Sequence, residues 1–292
     1  AANRALSYVD PMMKYKDTAE GIGFYEFIKK LDKNFDSNAE LLVKQLVRAQ
    51  MCIFRKENLT LSLTGEFNFK SLLEGEMLQF NRMLYEMPCV KAVPTFNMEK
   101  KNEGFKTASK VQYVASGGCF EKEGQEYTGA LKVLKTIFSY DYLWVNVRVT
   151  GGAYGCMCSF SRNGYGFFTS YRDPNLSATL DVYKKAAEYV RNFEAGQRDM
   201  TKYIIGTISG IDQPLEPAAL EDRSFHAYQS GVTVEMIQKE RNQVLDATEE
   251  TIRSLAGYIE TMMDAGTVCA IGNDRKLEEE KELFKQVRSL TQ

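Results

Sequence analysis

Residues 146–190 read NVRVTGGAYGCMCSFSRNGYGFFTSYRDPNLSATLDVYKKAAEYV. Within this stretch, CMCSFSR and GYGFFTSYR are rich in residues typical of strands, and the Asn163-Gly164 dipeptide between them is typical of a tight hairpin turn. Beyond Pro174, apolar residues recur at helical spacing, at Leu176, Leu180, Tyr183, Ala187 and Val190. The stretch therefore predicts an antiparallel hairpin followed by a long helix.

On both sides of this stretch, helical patterns are mixed with a few shorter strand patterns. Helical spacing of apolar residues predicts further helices at 20–34, 39–55, 68–87, 127–140, 217–231, 232–266 (two helices that meet near Asp246) and 274–290. Strand patterns occur at 58–67, 110–120 and 267–273. Because a hairpin links the strands without strict strand–helix–strand alternation, we predict an α+β fold with a mixed or antiparallel sheet covered on one side by helices.

Between 88 and 104 the periodic pattern fades into a connection that contains proline and lysine, which makes it the candidate domain boundary. The region before it has several helical patterns but one clear strand, too few for a sheet of its own. That region is therefore predicted to be an incomplete domain.

Composition argues against several classes of function. The net charge is −2, which gives no support to a nucleic-acid partner or an anionic membrane surface. No apolar run approaches the roughly 20 residues that a membrane-spanning helix needs. Six cysteines without a CxxC pair are interpreted as reduced, buried thiols. The single histidine, His226, lies in a helical pattern, so a structural or surface role is favoured over metal binding.

Arg148 and Tyr154 are the candidate binding residues, because they flank a turn at Gly151-Gly152. An arginine offers a planar set of donors to carboxylates and oxyanions, and a tyrosine hydroxyl can donate to a developing negative charge. The alternative is structural, with Arg148 paired to an acid such as Asp173 and Tyr154 filling the sheet. The spacing of GGAYG matches neither common phosphate-binding loop, which argues against nucleotide binding.

The sequence RVTGGAYG at 148–155, followed by SYRDPN at 170–175 and a helix beginning near TLDVY, closely resembles the second half of zinc peptidases of the pitrilysin/insulinase family. It is most similar to the presequence-protease subfamily, oligopeptidases that degrade targeting peptides and other short unstructured peptides. GTISGIDQPLEPAA at 206–219 and IFRKENLTLSLTGE at 53–66 also resemble that subfamily, so the similarity covers nearly the whole chain.

The resemblance implies a metallopeptidase-half (LuxS/MPP-like) architecture, in which two bowl-like halves, each of two similar α+β domains, close around a chamber. In this family the N-terminal half contains the zinc motif HxxEH and a downstream glutamate. The C-terminal half contributes an arginine and a tyrosine that contact the bound peptide near the zinc. Arg148 and Tyr154 occupy the matching positions, and Gly151 and Gly152 are expected to support the loop.

The resemblance also bears on local structure and on domain boundaries. Local pattern at 140–147 fits a helix or a strand, whereas the resemblance makes the segment before Gly151 a helix and 153–160 the strand after it. HxxEH is absent from the chain. The resemblance therefore implies that residues 1–90 are the C-terminal part of the third family domain, and that 91–292 are the fourth domain with the Arg-x5-Tyr motif.

These expectations define a function and its alternatives. The chain is expected to be the C-terminal part of a zinc-dependent oligopeptidase, binding peptide and stabilising the transition state. It is expected to hold no complete catalytic set and no metal ligand, and to be inactive alone, since zinc belongs to the N-terminal half of the same enzyme. That half and peptide substrates are the expected partners, without nucleic acid or membrane. A bacterial cytoplasm is the favoured compartment, with an organelle matrix as the alternative.

Two other function classes stay open at this point. The first is a non-catalytic structural or partner subunit of the same fold. The second is an unrelated α+β module that binds an acidic or peptide ligand. The presence of both Arg148 and Tyr154 favours the peptidase, because a pure scaffold has no need for them.

Overall fold

The computed structural model describes residues 1–66, 68–86, 94–122 and 125–290. Two compact units divide the chain. The first consists of Ala1–Tyr25, Thr95–Gln213 and Glu235–Gln292, and the second of Glu26–Pro94 and Pro214–Val234. The first 25 residues thus belong with the unit that contains the hairpin, although the sequence grouped them with the rest of 1–90. The assignment of 1–90 and 91–292 to the third and fourth family domains stays a prediction, and residues 87–93 at its boundary lie outside the described residues.

The first unit is built on a mixed sheet. Its strands are β1 (Glu103–Thr107), β2 (Gln112–Cys119), β3 (Gly155–Phe160), β4 (Tyr165–Asp173), β5 (Cys269–Asn273) and β6 (Gln286–Ser289). Their order across the sheet is β3-β4-β2-β5-β1-β6. The pairs β3–β4, β4–β2 and β2–β5 are antiparallel, and β1 pairs parallel with both β5 and β6. The predicted α+β class with a mixed sheet is confirmed.

Helices account for most of the remaining regular structure. They are α1 (Ala2–Leu6), α2 (Pro11–Glu20), α3 (Ile22–Lys33), α4 (Phe35–Ile53), α5 (Phe69–Glu74), α6 (Glu76–Met83), α7 (Ala130–Tyr140), α8 (Ser177–Arg191), α9 (Gln197–Ile211), α10 (Pro217–Gln229), α11 (Val234–Leu245), α12 (Glu249–Ser254), α13 (Ala256–Asp264) and α14 (Asp274–Glu279). Helices α4, α5, α6 and α10 belong to the second unit.

The main hydrophobic core lies between one face of the sheet and helices α7, α8 and α13. Phe138 of α7 packs edge-on against Phe168 of β4, with 5.4 Å between ring centroids, and Phe168 in turn contacts Tyr183 of α8. All three side chains are fully buried. Burial of large aromatic side chains is a major source of stability, so this contact fixes the hairpin strand β4 to the helical layer.

The opposite face of the sheet is partly covered by α1, where Ala5 packs with Phe105 and Ala115. Buried charges attach α1 to β1. The Arg4 guanidinium donates to Glu103 Oε2 at 2.7 Å and to Asp17 Oδ2 at 2.6 Å, and all three side chains are at most 5 % exposed. The sequence predicted helices on one face of the sheet, whereas the structure has helices on both faces.

Many of the predicted elements are confirmed. Strands β3 and β4 pair from Gly155↔Tyr171 to Phe160↔Gly166 and are joined at Asn163-Gly164, as the hairpin signal indicates. The predicted segments that are confirmed as regular elements are 20–34 (α3), 39–55 (α4), 110–120 (β2), 127–140 (α7), 217–231 (α10) and 267–273 (β5). The expected pair of helices at 232–266 is in fact three, α11, α12 and α13.

Two predictions in the second unit are wrong. The expected strand at 58–67 is absent from its described residues: Lys56–Asn58 form a short 3-10 helix, and residues 59–64 have no regular structure. A segment with alternating apolar and polar residues forms a strand only where another strand is available to pair with it. The expected helix at 68–87 is interrupted at Gly75, which separates α5 from α6.

The expected helix at 274–290 is also wrong, because α14 ends at Glu279 and the chain continues into strand β6. β6 completes the sheet by parallel pairing with β1, a long-range contact that overrides the local helical preference. Leu277 and Phe284, which lie in this segment, are buried.

Glu280 within this segment has a specific partner. Its Oε2 accepts a hydrogen bond from the backbone N–H of Ser177, the first residue of α8, at 2.8 Å. Burial alone raises the pKa of Glu280, but hydrogen bonds from Lys276 and Ser177 lower it overall. The carboxylate therefore satisfies a free N–H at the positive end of the α8 dipole.

Replacing Glu280 by alanine is expected to lower the free energy of unfolding by about 1 kcal/mol, because the first turn of α8 loses its capping acceptor. Urea unfolding followed by circular dichroism measures the change. Glu279→Ala is the matched control, since Glu279 pairs only with the exposed Arg275 among the interactions described for it. Equal losses in both variants would contradict the capping role.

Candidate functional site

The candidate site begins at the end of a helical segment. Residues Trp144–Thr150 form a π-helix, which confirms the helix expected before Gly151. The turn that ends it is closed by hydrogen bonds from Gly152 N–H to the Arg148 carbonyl at 3.0 Å and from Ala153 N–H to the Val147 carbonyl at 3.1 Å. Single-turn π-helices are rare and often lie at functional sites.

Glycine is required at both positions of the turn. A Cβ atom on Gly151 would lie 2.6 Å from the Val147 carbonyl oxygen, and Gly152 has a φ of +79° in the left-handed region. Side chains at either position would therefore shift the backbone of Arg148 or strain the turn. These contacts agree with the expected loop-supporting role of the two glycines, which stays a prediction as far as activity is concerned.

The residues of the SYRDPN sequence hold the turn against the start of α8. The Asn175 side-chain amide donates to the Gly151 carbonyl at 2.6 Å. The buried Asp173 carboxylate accepts from the Asn175 backbone N–H and from the Thr179 hydroxyl, each at 2.8 Å. Asp173 thus serves the turn and α8, and no ion pair joins it to Arg148, unlike in the structural alternative considered from the sequence.

Arg148 is half-buried and lies on an aromatic ring. Its guanidinium carbon is 3.9 Å from the centroid of the Trp144 ring. A cation–π contact uses the face of the guanidinium and leaves its N–H donors, which lie in the plane, available for hydrogen bonds. Trp144 therefore orients Arg148 without consuming the donors that would bind a carbonyl or carboxylate.

Tyr154 is 60 % exposed and does not fill the sheet. Its ring packs edge-on against Tyr171, with 5.3 Å between centroids, and the Arg172 guanidinium carbon lies 5.5 Å from its centroid. Tyr171 is able to lie there because the opposite residue is Gly155, where a Cβ would be 2.2 Å from the Tyr171 ring. The phenol ring of Tyr154 is therefore supported on one side and open to solvent.

Arg148 and Tyr154 are presented separately, on the two sides of one turn. Each has its own aromatic support, and neither a hydrogen bond nor a cation–π contact joins these two described side chains. Sequence reasoning did not identify Trp144, Tyr171 and Arg172 as supporting residues. The signal was present for two of them, since Tyr171 and Arg172 belong to the SYRDPN sequence.

A mainly apolar groove of about 670 Å³ opens on the sheet face opposite the main core. Its walls on the sheet are formed by Tyr113, Met157, Phe167, Thr169 and Tyr171. Arg4 of α1 and Asp17 of α2 line the other side. Because Tyr171 also contacts Tyr154, the groove adjoins the candidate site.

Burial disfavours the nucleophilic thiolate form of the cysteines near the site. Burial raises the pKa of Cys156 to about 11, although the charge of Arg148 lowers it in part. Burial also raises the pKa of Cys158 to about 12. The five cysteines within the described ranges form no disulfide, and Cys89 lies outside those ranges. Cys158 and Cys269 are buried, as the sequence interpretation expects, whereas Cys52, Cys119 and Cys156 are only partly buried.

The described residues also bear on metal binding and on membrane insertion. No group of three or more His, Cys, Asp or Glu side chains within the described ranges has the arrangement of a metal site. His226 is exposed on α10. Among the helices of the described residues, none combines the length and the hydropathy needed to cross a membrane.

A family model and individual relatives both match this chain over most of its length or more than half of it. The family described as "PreP C-terminal domain" matches residues 102–274, more than half of the chain. Protein HypA of Clostridium perfringens is 37 % identical over 294 residues, covering 99 % of this chain and 30 % of that protein. Presequence protease 1, chloroplastic/mitochondrial, of Arabidopsis thaliana is 30 % identical over 255 residues, covering 87 % of this chain and 24 % of that protein. The chain therefore spans less than a third of the length of these curated relatives.

Among solved structures, the peptidase M16 inactive domain from Pseudomonas fluorescens is similar, with a TM-score of 0.51. It is 14 % identical, and the match covers 72 % of this chain and 52 % of that one. At this identity the similarity concerns the fold, with its helices and mixed sheet.

Proposed function

Since the chain belongs to the PreP C-terminal domain family and is a C-terminal piece of a pitrilysin-family peptidase, we propose that it binds peptide and stabilises the transition state within a longer zinc-dependent oligopeptidase. The observation that carries this proposal is the turn at Gly151-Gly152, which presents Arg148 and Tyr154 beside an apolar groove. The proposed substrates are short unstructured peptides, in keeping with a relative named presequence protease.

Peptide binding is supported by the chemistry around the turn. The groove offers aromatic and aliphatic side chains, and the turn adds an always-charged arginine and a phenol. A peptide has apolar side chains together with polar main-chain groups, so it requires both kinds of contact. The aromatic supports under Arg148 and Tyr154 limit the conformational entropy that binding would cost.

Transition-state stabilisation follows from the same two donors. When a peptide carbonyl becomes tetrahedral, its oxygen gains negative charge, and donors placed near that oxygen bind it more strongly than the ground-state carbonyl. Arg148 and Tyr154 would supply those donors from this chain. The described residues do not fit a zinc site, so in this proposal zinc and its ligands belong to the N-terminal half of the longer protein.

A non-catalytic subunit of the same fold is the second candidate. It would account for the absence of HxxEH from this chain. It would not account for an arginine and a tyrosine that flank one turn and are each supported by an aromatic side chain. A bacterial cytoplasm, with an organelle matrix as the alternative, stays a prediction, because the similar proteins come from a bacterium and from organelles.

The test is reconstitution of peptide hydrolysis from separate parts. This chain and the N-terminal portion of the longer protein are purified separately, and hydrolysis of a fluorogenic unstructured peptide is measured with added zinc, alone and in mixture. We expect no hydrolysis by this chain alone and chelator-sensitive hydrolysis by the mixture.

Two outcomes would contradict the proposal. Chelator-sensitive hydrolysis by this chain alone would show that it holds a complete site. A mixture that forms a stable complex, measured by size-exclusion chromatography, but hydrolyses no peptide would favour the non-catalytic subunit.

A further inference from the structure

Strand β4 contains a bulge close to its C-terminal end. Between the positions that pair with Val114 and Gln112 of β2, β4 advances by three residues, whereas β2 advances by two. The extra residue lies at Tyr171-Arg172, where two residues of β4 face the single Tyr113 of β2. Bulges change the direction of the side chains around them and are frequent next to active sites. The bulge therefore determines what Arg172 and its neighbours can contact.

The bulge changes which side chains of β4 face the helical layer. Side chains alternate along a regular strand, so Arg172 would otherwise share the face of Phe168, which is buried against α8. Asp173 takes that place instead, since it is fully buried and accepts a hydrogen bond from the Thr179 hydroxyl of α8. Arg172 is exposed, and its guanidinium carbon lies 5.5 Å from the centroid of the Tyr154 ring. The bulge thus places an arginine beside the candidate site.

The backbone of Arg172 is strained. Its φ is +50°, in the left-handed region that glycine adopts freely and asparagine tolerates, but that is unfavourable for an arginine. The Arg172 carbonyl accepts a hydrogen bond from the Tyr154 N–H at 3.3 Å, which helps to hold this conformation. Strained residues that are not glycine cluster at binding and active sites. Because glycine or asparagine would suit the backbone better, the side chain of Arg172 is the feature with a role to explain.

Arg172 and Arg148 place two permanent positive charges at the turn that presents Tyr154. For neither guanidinium is an ion pair or a hydrogen bond found with the residues that the structure describes. Asp173, the next residue in the chain, is turned toward α8, where its carboxylate accepts from the Thr179 hydroxyl. A guanidinium binds a carboxylate through two parallel N–H groups, which makes it a selective donor for this anion. The charge at the turn is therefore suited to a carboxylate supplied by a ligand.

We propose that Arg172 binds a carboxylate of the peptide substrate and is a specificity-determining residue of the site. This inference rests on the proposed function, because it takes peptides as the ligands of this chain. The carboxylate belongs to an aspartate or glutamate side chain or to the C-terminus of the peptide. Uncharged peptides would still be bound through Arg148 and Tyr154, so Arg172 adds a preference among substrates.

The test uses the longer protein and a series of fluorogenic unstructured peptides. The parent peptide has no charged residue and has an amidated C-terminus. In one set, a single glutamine of the parent is replaced by glutamate at each position in turn, so that shape is kept and one charge is added. A further peptide has the parent sequence with a free C-terminal carboxylate. The quantity measured for each peptide is kcat/KM.

Two variants remove the guanidinium and keep the backbone of the bulge. Arg172→Asn and Arg172→Gly both accept a φ of +50°, so each is expected to fold, which circular dichroism verifies. Arg275→Ala is the control for a lost positive charge, because the Arg275 side chain is exposed on α14.

We expect the unmodified protein to hydrolyse at least one acidic peptide about 5-fold more efficiently than the parent, the upper end of what one exposed ion pair contributes. The peptide that shows this preference identifies the carboxylate as a side chain or as the C-terminus. Both Arg172 variants should lose the preference while hydrolysing the parent within a few-fold of the unmodified protein. Arg275→Ala should keep the preference.

Three outcomes would overturn the carboxylate site. They are the absence of any preference in the unmodified protein, a preference that both Arg172 variants keep, and an equal loss for the parent and the acidic peptides in these variants. The last outcome would assign Arg172 to the positioning of Tyr154. Absence of hydrolysis of every peptide by the unmodified protein would instead overturn the proposed function.

Discussion

Replacing Arg148 by alanine in the longer protein is expected to lower kcat/KM for peptide hydrolysis by about 10²–10³-fold, the usual effect of removing one donor to a developing oxyanion. Tyr154→Phe removes only a hydroxyl and is expected to have an effect in the same range. The turn is held by main-chain hydrogen bonds and by the Asn175 side chain, so neither change should disturb it. Zinc content and thermal stability should stay unchanged.

Steady-state kinetics on a fluorogenic peptide separates the two roles proposed for these side chains. Loss of transition-state stabilisation lowers kcat, whereas loss of ground-state peptide binding raises KM. Arg275→Ala is the control for a lost positive charge, because Arg275 lies on α14 and its side chain is 88 % exposed. Unchanged kcat/KM in both Arg148→Ala and Tyr154→Phe would refute the assignment of these residues.

Replacing Arg4 by methionine is expected to lower the free energy of unfolding by about 3–5 kcal/mol. Methionine fills a similar volume but leaves Asp17 and Glu103 as buried carboxylates without their shared cation. The hydrogen bond from the Tyr8 hydroxyl and the ion pair with Arg288 remain for Glu103, and they compensate it only in part. Chemical denaturation of the 292-residue chain measures the loss.

The same network predicts how stability depends on pH. Burial on its own raises the pKa of Glu103, but the bonds and charge of Arg4, with help from Tyr8 and Arg288, lower it overall. A carboxyl whose pKa is lowered by folding contributes stability above its unfolded pKa, and that contribution is lost as the pH falls through the folded value. Arg4→Met should therefore show a flatter decline of stability on acidification.

The control for this prediction is again Arg275→Ala, which breaks an exposed pair of α14 and should change stability little. A loss below about 1 kcal/mol in Arg4→Met would contradict the structural role of the network. Such a result would mean that α1 is held to the sheet mainly by its apolar contacts.

Local chemistry determined which parts of the fold were predictable. The hairpin of β3 and β4 was recognised because Asn163-Gly164 favours a tight turn on its own. β1 and β6 were missed because each becomes a strand only by parallel pairing with a distant segment. A sequence pattern contains no information about such a partner until the partner itself is known.

The same distinction applies to the candidate site. Arg148, Tyr154 and the two glycines stand within a few residues of each other, so their chemistry and a resemblance indicated them together. Trp144 and Arg148 are four residues apart, so a helix places them side by side, but the local sequence pattern left helix and strand open for this segment. The support of Tyr154 by Tyr171 depends on the register of the hairpin, which places Tyr171 opposite Gly155.

The long-range bonds of Glu103 have a consequence for how the protein is made. Its partners Arg4 and Arg288 lie 99 residues before it and 185 residues after it in the chain. During synthesis, β1 emerges from the ribosome long before β6. It therefore remains unpaired with β6 while the intervening helices are translated. The first unit can complete its sheet only after residues 286–289 have emerged, so its final folding step follows translation of this segment.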